Sequence, residues 1–104
     1  MEYKSEFTMP DDVRPVLITT EFRGVFFGYA TETSGKNVHL FNARNCIYWP
    51  SKQGGFAGLA KDGPVKGSRI GARVASIDLR NVTSVTEVES DAVDAWEKAD
   101  VYRG

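Results

Sequence analysis

Arg44 stands between Asn42-Ala43 and Asn45, a few residues ahead of Tyr48-Trp49. A guanidinium is a planar fork of donors that grips a phosphate on two oxygens at once, and an aromatic face stacks on a base. A nucleotide ligand needs both. The stretch Phe41-Asn42-Ala43-Arg44-Asn45-Cys46-Ile47-Tyr48-Trp49-Pro50 is therefore where a ligand would sit. A plainer reading stands beside it. Asn tolerates left-handed backbone and bonds its own main chain, so Asn42 to Asn45 also reads as a tight turn between two short strands.

The remaining binding groups are Arg23, Arg69, Arg73 and Asn81, with Phe22 and Trp96. Each arginine alone is an ordinary solvated surface charge; the case rests on several of them lying at turns beside aromatics. Val65-Lys66-Gly67-Ser68-Arg69-Ile70-Gly71 is basic and Gly-rich but lacks the spacing of a Walker loop. It reads as a surface loop, or as a source of backbone donors for an anion.

Catalytic sets do not assemble. Cys46 and His39 could form a thiol–imidazole pair, yet Cys46 opens an apolar strand and reads as a small buried hydrophobe. Glu32, Asp62, Asp78 and Glu87 follow no acid–base or Mg²⁺ spacing. With one Cys and one His in the chain, neither an internal disulfide nor a zinc site is expected. No cofactor and no metal are expected, and binding without catalysis is the favoured class.

The 104 residues make one domain with a modest core. A formal net charge of −1 gives no basic field for long nucleic acid, so a nucleotide ligand would be small and enclosed. No signal peptide and no apolar run of membrane-spanning length occurs, so the expected place is the cytoplasm, with no membrane partner.

These groups need elements to hold them. Met1–Asp12 reads as an arm. Residues 13–88 read as a sheet with a short helix, and 91–100 as a C-terminal helix. Strands are expected over Arg14–Thr20, Val25–Thr31, Asn37–Phe41, Cys46–Trp49, Arg73–Leu79 and Val82–Val88. Val25–Thr31 carries apolar groups on both faces and should be buried on both sides. Gly28 within it marks a bend, a bulge or a close backbone approach. Phe56, Leu59 and Ala60 fall at helical spacing and form the short helix, closed by Asp62-Gly63-Pro64. Ser90 or Asp91 caps the last helix, and Trp96 on its apolar stripe should bury against the sheet. The fold class is α+β: a small, strongly bent antiparallel sheet of about six strands with a short helix and a C-terminal helix.

Gly24-Val25-Phe26-Phe27-Gly28, followed by Leu40 to Trp49, the helix Phe56 to Gly63 and the closing strands Ile77 to Val88, resembles the first described family of phage-encoded Thoeris anti-defence sponges. The likeness covers roughly Val16 to Val88. It implies a protein that binds cyclic ADP-ribose isomers made by a host immune enzyme, and in some members cyclic oligonucleotides, and holds them intact in the host cytoplasm. It implies a homo-oligomer, a dimer or a trimer of dimers, with pockets at subunit contacts. Matched to the motif, Arg44 contacts phosphate, and Asn42, Tyr48 and Trp49 complete the ligand set. Arg23, Arg69 and Asn81 are further choices. Two other readings remain. One is a protein-interaction module docking through Tyr48, Trp49 and a sheet edge. The other is a small barrel that stacks single-stranded nucleic acid.

Overall fold

A computed structural model describes residues 9–22 and 24–103. Among the described residues six strands and two helices follow one another as β1 (Arg14–Thr20), β2 (Val25–Ala30), β3 (Val38–Tyr48), α1 (Gly55–Asp62), β4 (Arg69–Ile70), β5 (Val74–Leu79), β6 (Val82–Glu87) and α2 (Ser90–Lys98), with a 3-10 turn at Ser51–Gln53 before α1. All strand pairings are antiparallel and the order is β4-β3-β2-β1-β6, with β5 also on β3. The α+β class expected from the sequence is what forms. Of the expected arm, residues 1–8 lie outside the described residues.

The sheet curls strongly. β5 flanks β3 and β6 flanks β1, yet only Arg80 and Asn81 join them. Three Cα steps reach at most about 11 Å, so the two edges of the sheet meet at this corner. Asn81 turns it with φ 57°, and its carbonyl accepts the Glu21 amide at 3.1 Å.

One correction reshapes the centre of the chain. Asn42 to Asn45 is not a turn: β3 runs unbroken from Val38 to Tyr48. The asparagine signal marks a bulge instead. Phe27 pairs with Arg44 and Tyr29 with Phe41, so three steps on β3 oppose two on β2, and Asn42 absorbs the extra residue at φ 51°. Side chains alternate with period two, so one extra residue flips the rest of the strand to the other face. Val38 and Leu40 point into one core before the bulge; Ala43 joins them after it, and Arg44 and Cys46 turn to the opposite side. Gly28 sits across from the bulge, where a Cβ would lie 3.1 Å from Leu40 Cδ1 and 3.2 Å from the Phe41 carbonyl. That is the close approach its place in the strand announced.

Two cores result. Val16, Ile18, Ala30, Val38, Leu40, Ala43 and Leu79 fill the inside of the curl. Leu17, Val25, Phe27, Cys46, Leu59, Ile70, Ala92 and Trp96 lie between the sheet and the helices. The two-faced pattern of β2 is thereby explained. Trp96 is fully buried, stacks on Phe27 with ring centroids 5.1 Å apart, and donates Nε1–H to the Leu59 carbonyl at 3.0 Å. Among the described residues no helix is long and apolar enough to cross a membrane.

Candidate functional site

β3 lays out two arginine-centred regions in line. Arg44 sits mid-strand on the face that carries α2, just beyond the bulge. Tyr48 lies four residues on, past a second register shift between Cys46 and Tyr48 that pairs it with exposed Arg69 while Cys46 pairs with buried Ile70. At about 3.3 Å per residue they are roughly 13 Å apart.

Arg44 is buried, and its donors are spent on main chain. Nε donates to the Gly71 carbonyl at 2.9 Å, and Nη1 donates to the carbonyls of Trp96 at 2.9 Å and Ala99 at 2.6 Å. Two of those carbonyls belong to the end of α2, which has no intrahelical donors for them, and a cation there also complements the helix dipole. Burial lowers the Arg44 pKa, and the positive charge of Arg73 lowers it further. Arg73 is paired to Glu97, which also accepts the Tyr29 phenol. Burial first, then that bond to the Glu97 carboxylate, raises the Tyr29 pKa. Arg73 Nη1 also donates to the Asn42 carbonyl at 3.4 Å. Thus Asn42 and Arg44, two residues of the expected ligand set, lie in a half-buried network that fastens α2 to the sheet. The expectation that the Arg44 guanidinium stands at a surface turn beside Tyr48 and Trp49 is not met. The sequence carried no cue that this arginine would be consumed by a helix end.

The second region is exposed. Tyr48, at the end of β3, pairs with Arg69 on β4, and the Arg69 guanidinium carbon lies 5.0 Å from the centroid of the Tyr48 ring. On the other flank of β4 the chain after α2 returns: Ile70 bridges Val101 in parallel, and the Tyr102 amide donates to the Ile70 carbonyl at 2.9 Å. Tyr102 then brings its ring to 5.1 Å from the same guanidinium carbon. Tyr48 and Tyr102 are 46% and 41% exposed. A shallow cleft of about 310 Å³, bordered by Ser68, Asp100, Val101, Tyr102 and Arg103, adjoins them. Among the described residues no hydrogen bond or ion pair engages the Arg69 side chain. Here a guanidinium does stand beside aromatic rings, with no donor engaged among the described residues.

The other expected residues scatter. Trp49 is half-buried and packs on the helix-side core. Asn81 turns the corner beyond β5, opposite the start of β3, about 30 Å along the strand from Tyr48. Arg23 lies outside the described residues. Tyr102 is not among the residues expected from the sequence; the aromatic–basic pair Tyr102-Arg103 is the signal that points to it. Gln53, between Pro50 and Gly54-Gly55, is a further residue that no sequence signal singles out. It is buried, donates to the Gly63 carbonyl at 2.8 Å and accepts the Val65 amide at 2.9 Å, which anchors the loop leading to Arg69. That Val65–Gly71 segment is not all loop, since Arg69–Ile70 pairs with β3.

His39 and Cys46 do not meet. Seven residues of strand, roughly 20 Å, separate them. His39 Nδ1 pairs with Asp78 across the β3–β5 ladder at 2.5 Å. Cys46 is buried on the helix side, and burial pushes its thiol up to about 11. At neutral pH it is a protonated thiol, not a nucleophile. Among the described residues no group of His, Cys, Asp and Glu could hold a metal ion.

A family model, a domain of unknown function (DUF6948), matches residues 13–96, and the chain belongs to that family. No curated protein and no solved structure matches the chain.

Proposed function

We propose that this member of the DUF6948 family is a sequestering protein for cyclic nucleotide immune signals, of the cyclic ADP-ribose class or a cyclic oligonucleotide, which it retains without cleaving. The observation that carries the reading is the Arg69 guanidinium, exposed beside the Tyr48 and Tyr102 rings and engaged by no hydrogen bond or ion pair among the described residues. It combines the two groups such a ligand requires: bidentate donors for phosphate and aromatic faces for a base. The likeness of the Gly24–Gly28 and Leu40–Trp49 segments to the phage sponges supports the same class. In this reading the protein works in the host cytoplasm as a homo-oligomer. A single chain offers an open platform, and a second copy supplies the wall that excludes water and strengthens each charged hydrogen bond.

Isothermal titration with cyclic ADP-ribose isomers and cyclic di- and trinucleotides tests it, followed by recovery of the ligand. Micromolar or tighter binding with the ligand recovered intact is expected. Absence of binding to every one of them, or recovery of a cleaved product, overturns it.

A second reading, docking on a host protein, draws on Ile47, which is 51% exposed beside Tyr48 at the end of β3. Aromatic and arginine anchors suit such surfaces too. A stoichiometric protein partner captured with no small molecule, and lost in Ile47→Asp, favours that reading over the first.

A further inference from the structure

Resting on the reading above, we infer that the segment after α2 is the specificity element of the site: Tyr102 is a positioning residue that holds Arg69 between two rings, so that only the edge of the guanidinium is offered and the group it takes is a phosphoryl group, not a stacked base. The topology places the rings on opposite flanks. β4 lies between β3 and the returning chain, with Ile70 paired to Cys46 on one side and bridged to Val101 on the other. Tyr48 is the cross-strand partner of Arg69 on the first flank, and Tyr102 follows the bridge on the second.

A guanidinium binds in two ways, through its faces to π systems and through its N–H edges to oxygens. With a phenol ring about 5 Å from the guanidinium carbon on each flank of β4, the rings compete with any ligand for its faces. The edges remain, and they match an acceptor with two oxygens in one plane. A nucleotide bound here must bring its phosphoryl group to Arg69 and lay its base on the outward side of Tyr48 or Tyr102. The strap is held in place from below. Arg44 binds the Trp96 and Ala99 carbonyls, α2 stops at Lys98, and the chain leaves in extended form toward Ile70. The buried arginine thus fixes the start of the segment whose end completes the exposed one.

Calorimetry on the full chain tests this with cyclic ADP-ribose, inorganic pyrophosphate and adenosine as probes. Cyclic ADP-ribose and pyrophosphate should bind, and adenosine should not bind at the same concentrations. Tyr102→Ala should weaken both phosphorylated probes about tenfold with an unchanged melting temperature, and Tyr102→Phe should stay within about twofold, because the ring and not the hydroxyl holds the cation. Arg69→Lys should fail as Arg69→Ala does, since an ammonium lacks the fork. If the wild-type chain binds cyclic ADP-ribose and Tyr102→Ala binds it equally well, or adenosine competes as well as pyrophosphate, this inference falls and the sequestering function stands. If the wild-type chain binds no phosphorylated probe, both fall.

Discussion

Arg44 and Arg69 are the same side chain put to opposite use. Arg44 is buried with three main-chain carbonyls on its donors, while Arg69 is exposed with two aromatic rings beside it and no hydrogen-bonded partner among the described residues. The difference comes from where each residue falls in the sheet. Arg44 follows a bulge that swings it under the end of a helix. Arg69 lies on a two-residue strand that pairs only with the end of β3 and, through Ile70, with a single bridge to Val101. A buried cation must be fully hydrogen-bonded, so its donors are consumed by the fold. An exposed one keeps its donors because water satisfies them until a ligand arrives. Motif arginines are therefore poor guides to a site until their burial is known.

The largest expected effects lie on the buried side. Trp96→Ala removes the stacked partner of Phe27 and should cost about 3–5 kcal/mol in denaturant unfolding. Arg44→Ala strands the carbonyls of Gly71, Trp96 and Ala99 and should cost about 3 kcal/mol. Arg44→Lys should recover only part of that, because one ammonium cannot reproduce the fork. An Arg44→Ala protein with wild-type stability and no ligand binding would reverse the assignment of the two arginines.

Arg69→Ala should behave in the opposite way. Its unfolding free energy should stay within about 0.5 kcal/mol of wild type, since it leaves no buried group unpaired. Ligand affinity should fall by about 1.5–3 kcal/mol, the usual loss for a charge-assisted contact. Calorimetry and a melting curve on the same sample separate the two effects. A large drop in melting temperature would show that Arg69, too, belongs to the scaffold.

How much of this contrast the chain displays before folding depends on the range of the interaction. The strands at Arg14–Thr20, Val25–Ala30, Val74–Leu79 and Val82–Glu87, both helices and the burial of Trp96 follow from period and composition, which are local. Six strands were expected and six form, but not the same six. Asn42 to Asn45 carries turn residues, and the turn chemistry was read correctly as left-handed backbone; it produces a bulge because β2 and β5 flank β3 on both sides and keep it extended. Arg69–Ile70 looks like loop and becomes strand because it meets the far end of β3. Arg44 and Tyr102 find their partners 27 to 55 and 32 positions away respectively. No window of sequence shows such contacts.

The helix-side core gives a pH test of intermediate size. Cys46 holds its proton up to about 11 in the folded chain, against an ordinary value of 9.0, because burial penalises the thiolate. The folded state therefore binds more protons than the unfolded state across that interval. Stability from this group is fully present below about pH 9 and is lost as pH rises through 11, by an amount on the order of 1–2 kcal/mol. The comparison to make is with Cys46→Ala at each pH, since Lys and Tyr groups titrate in both proteins. The stability difference between the two should narrow from pH 8 to pH 11. A constant difference would mean that the thiol is hydrated and that the core beside β4 is looser than the packing of Trp96 implies.

The smallest effect concerns the corner farthest along the sheet from Arg69. Asn81 was a candidate ligand contact, yet it is exposed, takes φ 57° and turns the chain between β5 and β6. A side chain with a Cβ pays about 1–2 kcal/mol for left-handed backbone, and Asn pays less because its amide bonds locally. Asn81→Ala should thus lose about 1 kcal/mol, while Asn81→Gly, free of the Cβ clash, should lose only a few tenths. Neither should change ligand affinity, because about 30 Å of β3 separates this corner from Tyr48. Measured together with Arg69→Ala, the pair asks whether binding is confined to one end of the sheet. If Asn81→Gly keeps its stability and loses the ligand, a second copy of the chain must bring this corner to the Arg69 platform, and the two ends of β3 would form one site across an interface.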